Sequence, residues 1–199
     1  RVKLIRNHGE AVLNTNKAKD LANIIGHNFR LGEIEAAIAR QQIKKLNQFI
    51  TSRQKAAERL RDGLKSLNGL KLPFIPKDCS HVYYVFGMIL TDKSISDRRS
   101  LVANALKKEG VPALGIGYQN IHLNPIFINK IAYGTKSFPW IGLNNGNSEV
   151  TYQKGLCPVA EKLHNETFLG IGLCHHFYTV DEIDLIIECF HKVWKGLNL

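Results

Sequence analysis

The chain has 199 residues, 44% hydrophobic and 22% charged, the make-up of a soluble globular protein long enough to bury a core. No run of about 18 apolar residues occurs, so no segment reads as a membrane span, and no secretory-signal pattern is present. The formal net charge is +10 at pH 7 and lopsided: residues 1–65 hold 14 Lys and Arg against 6 Asp and Glu, net +8, whereas residues 66–199 hold 13 against 11, net +2. A basic first third suits nucleic acid, membrane phosphate, phosphorylated small molecules or the solvated face of a long helix, and charge alone does not choose among them.

The opening RVKLIRNHG (1–9) reads as the middle of a strand or loop, and a start at Arg1 rather than Met suggests a fragment. Residues 17–25, KAKDLANII, read as a short helix stopped by Gly26. From Glu33 the positions Ile34, Ala37, Ile38, Leu46, Phe49 and Ile50 keep helical spacing, with Gln41 as a polar break. The pattern runs on through Ala56, Ala57, Leu60, Leu64 and Leu67 to a stop at Asn68-Gly69. That predicts a helix of roughly 35 residues, on the order of 50 Å long, with a bend or break allowed midway. Such a helix crosses between domains or lies along a subunit interface, so self-association is expected.

Beyond Pro73 and Pro76 the text turns β-branched and aromatic. HVYYVFGMIL (81–90) predicts a buried strand, SDRRSLVANALKKEG (96–110) an amphipathic helix, and VPALGIGY (111–118) and FLGIGLC (168–174) two further strands. Residues 119–160, rich in Asn, Gly and Pro, form an irregular excursion of a length that is usually functional or disordered. TVDEIDLIIECFHKVWKGL (179–197) is a helix capped by Thr179, with Glu182 completing a capping box. The fold class is α/β, laid out as a small sheet covered by helices.

Taken singly, the polar motifs name no reaction. Arg6 and His8 in IRNHG are most simply structural. His122, in the loop HLNP with Tyr118 nearby, is placed either to face a substrate or to hold the loop. Cys174, His175, His176, Cys189 and His191 match no zinc spacing, and adjacent His residues at a strand end point to opposite sides, so no metal is expected. Four scattered cysteines without a C-x-x-C read as reduced, buried thiols. GIGYQN fits neither a P-loop nor a dinucleotide fingerprint, and no G-x-S-x-G is present. In GHNFRLGEIEAAIA (26–39), Asn28 and Arg30 stand at a helix mouth, where an amide and a guanidinium either hold an anion or serve as ordinary cap and surface residues.

In order, these pieces resemble the sugar aminotransferases of the DegT/DnrJ/EryC1/StrS family. LIRNHGEAV (4–12) and GHNFRLGEIEAAIARQQIKKLNQFI (26–50) carry the strong match. HVYYVF, YQNIH, CPVAEKL and the T-x-x-[DE]-I helix follow more loosely. The resemblance implies the C-terminal portion of a fold type I enzyme using pyridoxal 5′-phosphate (PLP). Residues 1–32 would be the tail of the large cofactor domain, 33–69 a long linking helix, and 70–199 a small C-terminal α/β domain.

The resemblance also implies roles. Asn28 would reach across a homodimer to the PLP phosphate of the other subunit, with Arg30 as the basic residue of the same loop. Tyr84, Tyr118 and His122 would lie on the substrate side. The family's Schiff-base lysine lies upstream of R-N-H-G, so no catalytic residue is named in this chain, and the chain alone is expected to be inactive. The implied reaction moves an amino group from glutamate to a nucleotide-linked keto sugar, in the cytoplasm, for lipopolysaccharide or another surface glycan. No nucleic acid or membrane partner is implied. Two departures stand out: Gly32 replaces the usual Ser or Thr cap, and Tyr84 stands where the family often has His. A nucleic-acid module built on the basic 40–65 helix, or a non-catalytic regulator of the same fold, remains the alternative.

Overall fold

A computed structural model describes residues 2–6, 27–132, 139–140 and 150–199. His8 and the helix expected at 17–25 lie outside the described residues. The chain separates into two compact units, Arg1–Gln48 and Phe49–Leu199.

In the first unit, helix α1 (Val2–Arg6) stands where a strand or loop is expected. The His27 N–H donates to the Ile5 carbonyl at 2.8 Å and the Phe29 N–H to the Arg6 carbonyl at 2.9 Å, so Asn28 is held between two backbone bonds. Helix α2 (Glu33–Ile43) follows, with Gly32 as its N-cap and no side-chain cap bond. Helix α3 begins at Leu46 and runs to Leu64, so the long helix breaks at Lys44–Lys45. The break falls where the apolar stripe fails: positions 41, 42 and 45, which continue the line from Ile34 and Ile38, are Gln, Gln and Lys. None of the α2 residues is buried among the described residues.

The second unit holds strands β1 (Leu70–Lys71), β2 (Phe86–Leu90), β3 (Leu114–Gly115) and β4 (Phe168–Ile171) in the order β1-β2-β4-β3, all antiparallel. Between them come α4 (Lys93–Ser96), α5 (Arg99–Lys108), α6 (Pro125–Ile128) and α7 (Pro158–Lys162), and α8 (Val180–Gly196) closes the chain. Phe86, Met88 and Leu90 of β2 and Leu169 and Ile171 of β4 face one way, and form one core with Leu60 and Leu64 of α3, Val102 and Leu106 of α5, and Ile183 and Phe190 of α8. The opposite face of the sheet carries Gly87, Phe168 and Gly170, with Gly115 in register beside Gly170.

Three expectations are corrected by local geometry. The strand predicted at 81–90 starts only at Phe86, because Tyr83 takes a left-handed φ of 47°. A straight strand would put Tyr84 on the Phe86 face; the kink instead buries Tyr83 and turns Tyr84 outward. The strand expected over 111–118 shrinks to Leu114–Gly115, bracketed by left-handed Ala113 and Gly117. Cys79 is exposed rather than buried, on a turn where its N–H bonds the Pro76 carbonyl at 3.1 Å. By contrast α8 matches its reading closely: Thr179 Oγ1 accepts the Glu182 N–H at 3.2 Å and Glu182 Oε2 accepts the Thr179 N–H at 2.7 Å. Among the described residues, no helix is long and apolar enough to cross a membrane.

Candidate functional site

The first candidate is the turn before α2. Asn28 Oδ1 accepts from Arg30 Nε at 3.0 Å and more loosely from the Arg30 N–H at 3.4 Å. With its oxygen turned to Arg30, the Asn28 amide directs its two Nδ2 hydrogens elsewhere, so amide and guanidinium form a paired donor set on an exposed turn. The Glu35 carboxylate folds back over Gly32, into the space a Cβ there would occupy. That carboxylate, with Glu33, already answers the positive end of the α2 dipole. The two carboxylates leave Asn28 and Arg30, rather than the helix terminus, as the donor groups of this turn.

The second candidate is a cavity of about 600 Å³ on the outer face of the sheet, floored by Gly115, Gly170 and Gly172. Tyr84 and Tyr118 line it and are 68% and 87% exposed. Phe168 and His164 form further walls. His164 lies in a five-residue π turn, Leu163–Thr167, between α7 and β4, and such turns gather at functional sites. Its Nδ1 is buried without a hydrogen-bond partner among the described residues.

One buried cation fixes these walls. The side chain of Arg99, only 8% exposed, donates at 2.7 Å to each of three carbonyls: Ile116, His164 and Asn165. Burial pushes its pKa down while Glu166 pushes it up, and a guanidinium starts so high that it stays charged at neutral pH. Arg99 thus ties the backbone before Tyr118 to the backbone of the π turn. The sequence reading of 96–110 as an amphipathic helix does not single it out. The signal was present: residues 99, 102, 103 and 106 share one helical stripe whose other members are Val, Ala and Leu.

His122 stands apart from this cavity. Its Nε2 lies 2.9 Å from Glu161 Oε1, and the two side chains are about 10% exposed. The same carboxylate accepts the Gly155 N–H at 2.8 Å and the Cys157 N–H at 3.2 Å. Burial tends to raise the Glu161 pKa, but the Gly155 N–H, His122 and the Cys157 N–H outweigh it and hold the carboxyl below its ordinary range. Of the three side chains expected at the substrate, the structure brings Tyr84 and Tyr118 together and engages His122 in pinning the loop before α7.

The sequence profile of the DegT/DnrJ/EryC1/StrS aminotransferase family matches residues 1–169. The chain is 30% identical over 179 residues to the dTDP-3-amino-3,4,6-trideoxy-alpha-D-glucose transaminase of Micromonospora megalomicea subsp. nigra, covering 86% of this chain and 40% of that protein. It is 24% identical over 174 residues to the spore coat polysaccharide biosynthesis protein SpsC of Bacillus subtilis, covering 87% and 39%. It therefore spans about two fifths of the length of these curated relatives. Among solved structures it superposes on an aminotransferase from Psychrobacter cryohalolentis with a TM-score of 0.71 at 19% identity, covering 99% of this chain and 49% of that one. It superposes on Helicobacter pylori PseC, an aminotransferase of pseudoaminic acid biosynthesis, with a TM-score of 0.66 at 21% identity, covering 98% and 45%. At such identities the superpositions speak for the fold.

Proposed function

We propose a sugar-transaminase role from one premise: the chain belongs to the DegT/DnrJ/EryC1/StrS aminotransferase family. The full-length protein transfers an amino group from an amino-acid donor, glutamate, to a nucleotide-linked keto sugar, in the cytoplasm, for a surface glycan. The observation that carries this reading is the 30% identity, across 86% of the chain, to a protein named as a dTDP-amino-sugar transaminase. Residues 1–32 belong to the cofactor domain, 33–69 link, and 70–199 form the small domain.

The implied cofactor is PLP, and the donor set on the 28–30 turn fits its phosphate. Asn28 offers amide hydrogens without adding charge, and Arg30, steadied by Asn28 Oδ1, adds a cation. When bound, PLP supplies the electron sink that lets an amino group move between donor and sugar. In a homodimer Asn28 serves the partner's cofactor. Tyr84 and Tyr118 bind and orient the substrate at the cavity mouth, and His122 is a positioning residue acting through Glu161.

The test is Asn28→Ala in the full-length protein. A hydrogen bond to a charged group contributes about 1.5–3 kcal/mol, so PLP should be held roughly tenfold to a hundredfold more weakly. Cofactor retention equal to wild type would remove Asn28 from the site. Failure to aminate any dTDP- or UDP-linked keto sugar with glutamate would end the transaminase reading.

A further inference from the structure

Two adjacent tyrosines stand just before β2, and the backbone decides which of them faces the cavity. Side chains alternate along a strand, so an extended backbone through 83–90 would put Tyr84 on the Phe86 face and Tyr83 on the outer face. The structure does the reverse: Tyr83 is buried, and Tyr84 stands exposed at the cavity wall. One residue makes the exchange. Tyr83 takes a φ of 47°, an outlier for a bulky side chain that persists only where its surroundings enforce it. The sheet does not enforce it, since the register of β2 with β4 begins at Phe86↔Ile171.

His81 supplies the enforcement. Its Nδ1 accepts the Tyr83 N–H at 2.9 Å, so Nδ1 is the unprotonated nitrogen of the ring. The side chain of one residue thus takes the N–H two residues on, as an Asn or Asp oxygen does in an Asx turn. The His81 and Tyr83 rings lie 4.5 Å apart between centroids, and Tyr83 in turn lies 6.1 Å from Phe86. Behind the turn, the Gln54 amide of α3 donates to the His81 carbonyl at 3.2 Å. His81 is therefore held by α3 through its backbone and holds Tyr83 through its ring. It takes no part in the cavity wall, whose nearest members in sequence are Tyr84 and Val85.

We propose that His81 is a positioning residue for the reaction: by accepting the Tyr83 N–H it keeps the left-handed turn, and so presents Tyr84 rather than Tyr83 to the sugar. The inference rests on the reading that Tyr84 contacts the substrate. Side-chain chemistry does not choose between two tyrosines, so the choice falls to the turn. Without the acceptor the two arrangements compete. Substrate binds the one with Tyr84 outward, and apparent affinity falls with the fraction of molecules that hold it.

The experiment uses the full-length protein. His81→Phe keeps a ring against Tyr83 and removes the acceptor. His81→Asn removes the ring and restores an acceptor for the same N–H. The side chain at 81 is exposed, so neither substitution opens the core. Crystal structures of both variants read the turn directly: His81→Phe should lose the left-handed Tyr83 and displace Tyr84, and His81→Asn should keep both as in wild type. Steady-state kinetics then use glutamate and whichever dTDP- or UDP-linked keto sugar the wild type aminates. One neutral hydrogen bond is worth roughly three- to tenfold in an equilibrium, so the sugar KM should rise by about that factor in His81→Phe. It should return toward wild type in His81→Asn, with the glutamate KM unchanged in both. In a Tyr84→Ala background His81→Phe should add nothing, because the group it positions is gone. A wild-type turn in crystals of His81→Phe, a KM rise that His81→Asn does not reverse, or an undiminished rise in the Tyr84→Ala background would overturn the proposal. The two claims separate. No amination of any such sugar ends the transaminase reading while the crystal structures still decide the turn, and amination with an unaltered turn in His81→Phe removes His81 alone.

Discussion

Replacing Arg99 with Met keeps much of the side-chain volume and removes the charge. Three carbonyls, of Ile116, His164 and Asn165, each lose a 2.7 Å donor. A buried acceptor left unpaired costs about 1–3 kcal/mol, and the saved desolvation of the cation offsets part of that. The net loss should be roughly 3–5 kcal/mol. For a unit of this size that lowers the unfolding midpoint by on the order of 10 °C. Arg98 is the internal control, since among the described residues its guanidinium makes one bond, to the Leu197 carbonyl at 3.1 Å. Arg98→Met should lose about 1 kcal/mol. Arg99→Lys, which keeps the charge without the fork, should fall between. Urea unfolding of the three variants beside wild type measures all of this. An Arg99→Met loss no larger than that of Arg98→Met would refute the idea that the guanidinium clamps the cavity walls.

Two further outcomes are expected. Gly63→Ala sets helix propensity, a gain of about 1 kcal/mol, against a Cβ that would sit 2.8 Å from Ile187 Cγ1 and Cγ2. Overpacking of about 1–3 kcal/mol should win; a stabilised variant in thermal melts would show that α8 yields freely. Glu161 has a folded pKa below its ordinary 4.5, so its contribution is present above that value and is lost as pH falls through the lower, folded one. Stability measured from pH 6 down to pH 3 (a span of about three pKa units around a carboxylate) should therefore fall less steeply in Glu161→Gln than in wild type. Parallel curves would mean that the His122 and Gly155 bonds do not stabilise the charged form.

Helices with a strong stripe were legible. The periodicity of α8 and its Thr179–Glu182 signature fix its start, and its buried face follows from residues 183, 186, 190, 193 and 194. The break in the long helix was half legible, since Gln41 marks the polar gap and the chain turns three residues later. Strand extents were not legible. Periodicity carries no information about a left-handed residue inside an apolar run, and Tyr83, Ala113 and Gly117 decide where β2 begins and where β3 starts and stops. At the candidate site, no local pattern announces that Tyr84 and Tyr118 line one cavity, and the place of His122 depends on a contact with Glu161, 39 residues away. No local pattern encodes that pairing.

Departures from local preference also have a location. From Ala56 onward α3, and all of α8, bury residues of the stripe their spacing predicts. Around the outer face of the sheet the costs accumulate. Ala113 holds a left-handed φ, the helix before β4 widens to a π turn, Arg99 is buried against carbonyls, and His164 Nδ1 has no partner among the described residues. Each is unfavourable in isolation, with strained backbone alone worth about 1–3 kcal/mol per residue. A structural role explains some of them: Arg99 answers carbonyls that the π turn and the Gly117 bend leave over. Exceptions to local rules that concentrate at one cavity mark it as the part of this unit where something other than local stability sets the sequence.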